Sequence, residues 1–135
     1  MKRGDILYEK WYVDAKNIKN VERNGEITGF TVGVKPPYYR GVSLNLINTI
    51  GIRLDGEKIP TDEITFTVEA GCFTWQEMAD QANARWEFGE RAEIFVPLPG
   101  GISRGTHVIE VEICILIVYW GGASYVNYPF TFEMA

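Results

Sequence analysis

Thr-His-Val-Ile-Glu-Val-Glu-Ile-Cys-Ile-Leu-Ile-Val-Tyr-Trp, residues Thr106–Trp120, is the stretch that decides the fold. Val111, Ile113, Ile115, Ile117 and Tyr119 recur at every second position, the spacing of one face of a strand. The opposite face begins with Glu110 and Glu112 and continues with Cys114, Leu116, Val118 and Trp120. A face that starts in solvent therefore turns apolar halfway along, and something must cover its second half. Two covers are open. One is a loop or the segment Ile6 to Val13 of the same chain, since contiguous exposed apolar patches are uncommon on monomers. The other is a second subunit.

Outward from this strand the same period repeats. Phe30, Val32 and Val34 alternate with Gly29, Thr31 and Gly33, and Ile50, Ile52 and Leu54 follow the same rule. Ile64, Phe66 and Val68 do so too, as do Ile94, Val96 and Leu98, and Asn127 to Glu133 supplies a last strand. Between them stand turn formers. Asn24-Gly25 is a hairpin signal because both central residues of its turn need positive φ, and Asp55-Gly56 and Pro99-Gly100-Gly101 mark further turns. Pro36 and Pro37 remove two consecutive backbone donors and stop the strand before them. Thr74-Trp75-Gln76-Glu77 is a capping box and predicts one short helix from about Trp75 to Ala82. About eight strands with one helix predict an all-β fold, an antiparallel β-sandwich with the helix inserted between strands, spanning residues 1–135 as a single domain.

Composition fits that reading and narrows the partners. The chain has 135 residues, 46% hydrophobic and 23% charged. A domain of this size buries roughly two-thirds of its unfolded surface and needs neither disulfides nor a structural metal. With 18 acidic residues against 13 basic ones the net charge is −5, and no Lys/Arg cluster offsets it, so a nucleic acid backbone would be repelled. No segment reads as a signal peptide or a membrane span, which implies a cytoplasmic location. Cys72 and Cys114 form no CxxC pair and read as reduced thiols, Cys114 as a small buried hydrophobe.

Self-contained chemistry is hard to assemble from these residues. His107 is the single histidine, so no site with two imidazoles can form, and at the start of a strand it reads as a hydrogen-bonded structural residue. Acidic pairs such as Glu110 with Glu112, or Asp62 with Glu63, occupy ordinary surface positions. Glycosidase carboxylates stand about 5 to 10 Å apart, and nothing in the sequence selects such a pair. Pro99-Gly100-Gly101 lacks the helix start of a phosphate loop. No catalytic residue, metal ligand or cofactor site is therefore assigned to this chain.

Tyr38, Tyr39, Arg40, Trp86 and Phe88 sit in two loop-like segments. Aromatics and arginine are the side chains most enriched in interface hot spots, so these five, with Leu116, Val118 and Trp120 of the long strand, are the candidate partner contacts. Core packing at the open end of a sandwich is the competing role for each ring.

Pro37-Tyr38-Tyr39-Arg40-Gly41, Asp55-Gly56, Arg85-Trp86-Glu87-Phe88-Gly89-Glu90 and Pro99-Gly100-Gly101 with Gly105-x-His107 occur in an order and spacing that resemble the small β subunit of bacterial C-glycoside deglycosidases. The resemblance covers most of the chain from about Val21 onward. It implies a hetero-oligomer with a larger α subunit, a TIM barrel that holds a divalent metal, commonly manganese, and carries the acid/base residues. Such complexes act on a C-glycoside already oxidised at the sugar 3-position, typically of a flavonoid, and eliminate the carbon-linked aglycone. The alternative reading of the residues is a free-standing carbohydrate-binding β-sandwich, motivated by an aromatic content of 13%.

Overall fold

In the computed structural model, which describes residues 12–36, 41–117 and 121–135, the chain first reverses at Asn24 and Gly25, with φ of 53° and 81°. Two left-handed residues in succession match the twist of the strands they join. β1 (Val13–Arg23) and β2 (Glu26–Val34) leave that turn antiparallel. Asp55 and Gly56 repeat the device, with φ of 51° and 86°, between β4 (Ile47–Leu54) and β5 (Glu57–Ile59). The other strands are β3 (Val42–Ser43), β6 (Thr65–Val68), β7 (Gly71–Thr74), β8 (Arg85–Trp86), β9 (Ala92–Pro97), β10 (Gly105–Ile117) and β11 (Gly122–Met134).

They form an antiparallel β-sandwich. One sheet runs β1-β2-β9-β6-β7, the other β11-β10-β4-β5, and β3 with β8 makes a small two-stranded ribbon. The fold class is the one the alternation predicts. The strands beyond the expected eight are short pieces, β3, β5 and β8, that carry too few residues to show a period.

The helix, α1 (Trp75–Met78), is shorter than the span to Ala82 that the sequence suggests. Its start is as expected. The Thr74 hydroxyl accepts from the Glu77 N–H at 3.1 Å, and the Glu77 carboxylate accepts from the Thr74 N–H at 2.8 Å. Its end is set from outside. The carbonyls of Gln81 and Ala84 accept from the N–H groups of Asn45 and Leu44, at 3.3 and 3.0 Å, which commits residues 79–84 to a docked irregular path. Only Met78 of this helix is buried, so little apolar area would reward another turn.

The core lies between the two large sheets. Ile109, Val111, Ile113 and Ile115 of β10 are fully buried, as are Phe30, Val32 and Val34 of β2, Ile94 and Val96 of β9, and Phe66 of β6. Tyr12 adds a tie: its hydroxyl donates to the Val111 carbonyl and accepts from the Tyr128 N–H at 3.2 Å. Its ring stands edge-on to Phe130, centroids 5.5 Å apart. Tyr12 and Val13 thus pack into the core; Ile6 to Trp11 lie outside the described residues.

Candidate partner-binding surface

The segment Arg85-Trp86-Glu87-Phe88-Gly89-Glu90 folds into a turn secured at both ends. Gly89 takes a φ of 79°, which lets the Glu90 N–H reach the Glu87 carbonyl at 3.0 Å. The Glu90 carboxylate accepts from two backbone N–H groups, Glu87 at 2.9 Å and Glu69 at 2.7 Å. Trp86 is fully buried, with its indole edge-on to Phe66 at 5.1 Å and its Nε1–H donating to the Glu90 carbonyl at 2.8 Å. The result is a stiff turn whose tip, Phe88, is 62% exposed.

β3 pairs with β8 through Val42 opposite Trp86 and Ser43 opposite Arg85. Gly41 packs so closely on this turn that a Cβ there would lie 2.7 Å from the Glu87 carboxylate. Gly41, the described end of the first segment singled out in the sequence, thus lies against the second at Glu87. Tyr38, Tyr39 and Arg40 lie outside the described residues. Trp86 and Phe88 divide: the first is inside the core and supports the turn, the second stands on the surface.

A second exposed region lies on the outer face of the β11-β10-β4-β5 sheet. Leu116 is 41% exposed opposite Ala123, and Tyr125, 57% exposed, lies opposite Cys114. The Tyr125 hydroxyl donates to the Glu112 carboxylate at 2.5 Å, and that bond raises the phenol's pKa above its ordinary value. The other oxygen of Glu112 lies over Gly51, 2.8 Å from where a Cβ would stand. Cys114 is half-buried on this outer face, and desolvation, helped by Glu112, pushes its thiol pKa up, which makes it a poor nucleophile. Val118 and Trp120 lie outside the described residues.

His107 acquires partners that its sequence neighbours do not reveal. Nδ1 meets the Asp55 carboxylate at 2.6 Å, and Nε2 meets the Ser103 carbonyl at 2.8 Å and the Ser103 hydroxyl at 3.3 Å. Ser, His and Asp are thus adjacent, but Nε2 faces a carbonyl oxygen, to which it can only donate. A ring that donates from both nitrogens cannot take a proton from Ser103, so the cluster locks a loop instead of activating a nucleophile. The other Asp55 oxygen accepts from the Val108 N–H at 2.9 Å. Asp55-Gly56, Ser103 and His107 thereby join the turn before β5, the loop before β10 and the start of β10. The turn dipeptide Asp55-Gly56 was the one available signal, and it marks a bend without naming what the carboxylate will bind.

Among the described residues no three His, Cys, Asp or Glu side chains come together to hold a metal ion, and no helix is long and apolar enough to cross a membrane.

Comparison with known proteins matches residues 8–119 to the model of one family, described as C-glycoside deglycosidase beta subunit. A relative of that name from Eubacterium cellulosolvens is 38% identical over 112 residues, which span 82% of this chain and 76% of the relative. Two from Arthrobacter globiformis share the name. One is 23% identical over 92 residues, spanning 67% of this chain and 70% of the relative. The other is 25% identical over 88 residues, spanning 65% and 67%. On a match that takes in every described element from β1 to β10, the chain belongs to the C-glycoside deglycosidase beta subunit family.

Proposed function

We infer that this chain is the small, non-catalytic subunit of a cytoplasmic hetero-oligomer that cleaves the carbon–carbon bond of C-glycosides. The larger partner is a TIM-barrel α subunit that holds a divalent metal, Mn2+, and supplies the acid and base. The substrate is a flavonoid C-glucoside already oxidised at the sugar 3-position. There the ketone acidifies the neighbouring C2 proton, and loss of that proton allows the carbon-linked aglycone to be eliminated. The observation that carries this reading is family membership with relatives that are themselves named as beta subunits. The described residues do not fit a metal, and no step of the reaction is assigned to them.

In this assembly the turn carrying Phe88 contacts the α subunit, and Tyr38, Tyr39, Arg40, Leu116, Val118 and Trp120 are the further candidate contacts. Trp86 acts by propping the turn from beneath. The hydrogen-bonded frame around Phe88 lowers the ordering cost of presenting an aromatic ring. A free-standing carbohydrate-binding module would want a planar row of exposed aromatics. Among the described residues the exposed rings are Phe88 and Tyr125, on separate elements, which does not favour it.

Co-expression with a TIM-barrel partner encoded beside this chain tests the assembly. The expected result is co-elution on a sizing column, and cleavage of a 3-oxo-C-glucoside that falls sharply when this chain is omitted. Separate elution together with full activity of the large protein alone overturns the reading.

A further inference from the structure

The pairing of β1 with β2 is interrupted. Asp14 lies opposite Gly33 and Lys19 opposite Thr31, so residues 15–18 of β1 bow out against the single residue Val32. Extra residues in one strand bend it and re-aim its side chains, and such bulges recur beside binding sites. Here the bulge borders a cleft of about 390 Å³, within the range that holds small molecules. Its apolar lining is Ala15, half-buried, with the edges of Val13 and Phe130, over the fully covered Val34. Among the described lining residues Lys16, Lys35 and Arg91 face one acid, Asp14. A cationic cleft is unexpected on a chain of net charge −5.

Arg91 is held in a fixed place. Its guanidinium crosses Gly33 where a side chain would stand, 2.0 Å from Nε and 2.7 Å from Cζ to the position of an added Cβ. Gly33 thus leaves the room that Arg91 occupies. The flanking carboxylates stand off, Asp14 at 3.6 Å and Glu93 at 3.8 Å, beyond good hydrogen-bonding distance. Asp14 Oδ2 also accepts from Asn17 Nδ2 at 2.9 Å, a bond made within the bulge itself. The Arg91 side chain is 40% exposed, and a carboxylate matches its planar fork with two bonds.

We propose that this cleft binds a small amphipathic carboxylate, with its apolar body against Ala15 and the exposed edges of Val13 and Phe130 and its carboxylate on Arg91 and Lys35. The accessible apolar edges distinguish this ligand from a bare inorganic anion, which would remove no apolar area from water there. The cationic rim distinguishes it from a neutral molecule. The proposal does not depend on the assembly proposed above, although Arg91 directly follows Glu90 of the Phe88 turn in the chain.

Titration of the full-length chain, followed by backbone amide chemical shifts, tests the site with 4-phenylbutyrate, its neutral amide and sulfate as probes. The expected result is saturable shifts along Val13–Lys16 and Gly33–Lys35 with 4-phenylbutyrate. Arg91→Gln should weaken that binding about tenfold or more, which is about 1.4 kcal/mol, and the amide should bind wild type more weakly by a similar factor. Lys35→Gln, an exposed position, gives a second and smaller loss that can be read even if Arg91→Gln disturbs the fold. Failure of 4-phenylbutyrate to saturate overturns the proposal. So does equal binding of the amide or of sulfate, or unchanged affinity in a well-folded Arg91→Gln variant.

Discussion

His107 is held by two acceptors, and that fixes its charge. Asp55 takes one ring N–H and the Ser103 carbonyl the other, so the doubly protonated imidazolium fits best and the pKa of His107 is raised above its ordinary 6.5, mainly by Asp55 and then by Ser103. The same bond, followed by the Val108 N–H, lowers the pKa of Asp55 below 3.8. A raised pKa gives stability that is complete below the unfolded value and is lost as pH rises through the folded one. The lowered pKa of Asp55 gives stability present above its unfolded value and lost as pH falls through the folded one. The pair thus contributes most between the two unfolded values. Replacing His107→Gln should remove the alkaline part of this dependence: from about pH 6 to about pH 9, the melting temperature of wild type should fall relative to the variant. Parallel curves over that range would show that the imidazolium does not hold the loop. The structural character of His107 was legible from its isolation in the sequence. Its partner was not, because Asp55 lies 52 residues away and only the β4–β10 register brings the turn after β4 to the start of β10.

Among the elements, α1 shows where local signals are sufficient and where they stop. Both halves of its capping box form as Thr74 and Glu77 predict, because the two side chains and their N–H targets lie within four residues. Thr74→Ala removes one of these bonds and should cost about 1 kcal/mol, read as a lower urea midpoint with an unchanged slope. A slope that also changed would mean that this turn helps hold the docked path of residues 79–84 as well as the helix. The helix end was illegible because it depends on hydrogen bonds to Leu44 and Asn45. The hairpins were legible for the opposite reason, since Asn24-Gly25 and Asp55-Gly56 fix their own turns. The β1 bulge carries no such mark. Val13 to Arg23 contains no proline or glycine to announce it, and it becomes visible only when the partners of Asp14 and Lys19 are known.

For the whole molecule, the sharpest contrast is between Trp86 and Phe88, two positions apart and on opposite sides of the surface. Trp86→Ala opens a cavity beside Phe66 and should destabilise the isolated chain by about 3–5 kcal/mol. Phe88→Ala should leave stability within about 0.5 kcal/mol. If the turn contacts the α subunit as proposed, Phe88→Ala should weaken assembly by about 2 kcal/mol or more, measured by calorimetric titration of one subunit into the other. Normal assembly of Phe88→Ala would move the contact to the face bearing Leu116 and Tyr125. Alternation in the sequence identified the inner rows of β2, β9 and β10, and the sandwich followed from them. It could not tell which aromatics of the loops are interior, because a ring in an irregular segment has no period to declare its side. The Tyr12 tie has a further consequence, for how the protein is made. Tyr12 joins Val111 and Tyr128, and Leu54 of β4 pairs with Ile109, so these earlier segments wait for partners synthesised 55 to 116 residues later. On the ribosome the β11-β10-β4-β5 sheet cannot close until β11 has emerged, so the apolar rows of β4 and β10 stay uncovered until then.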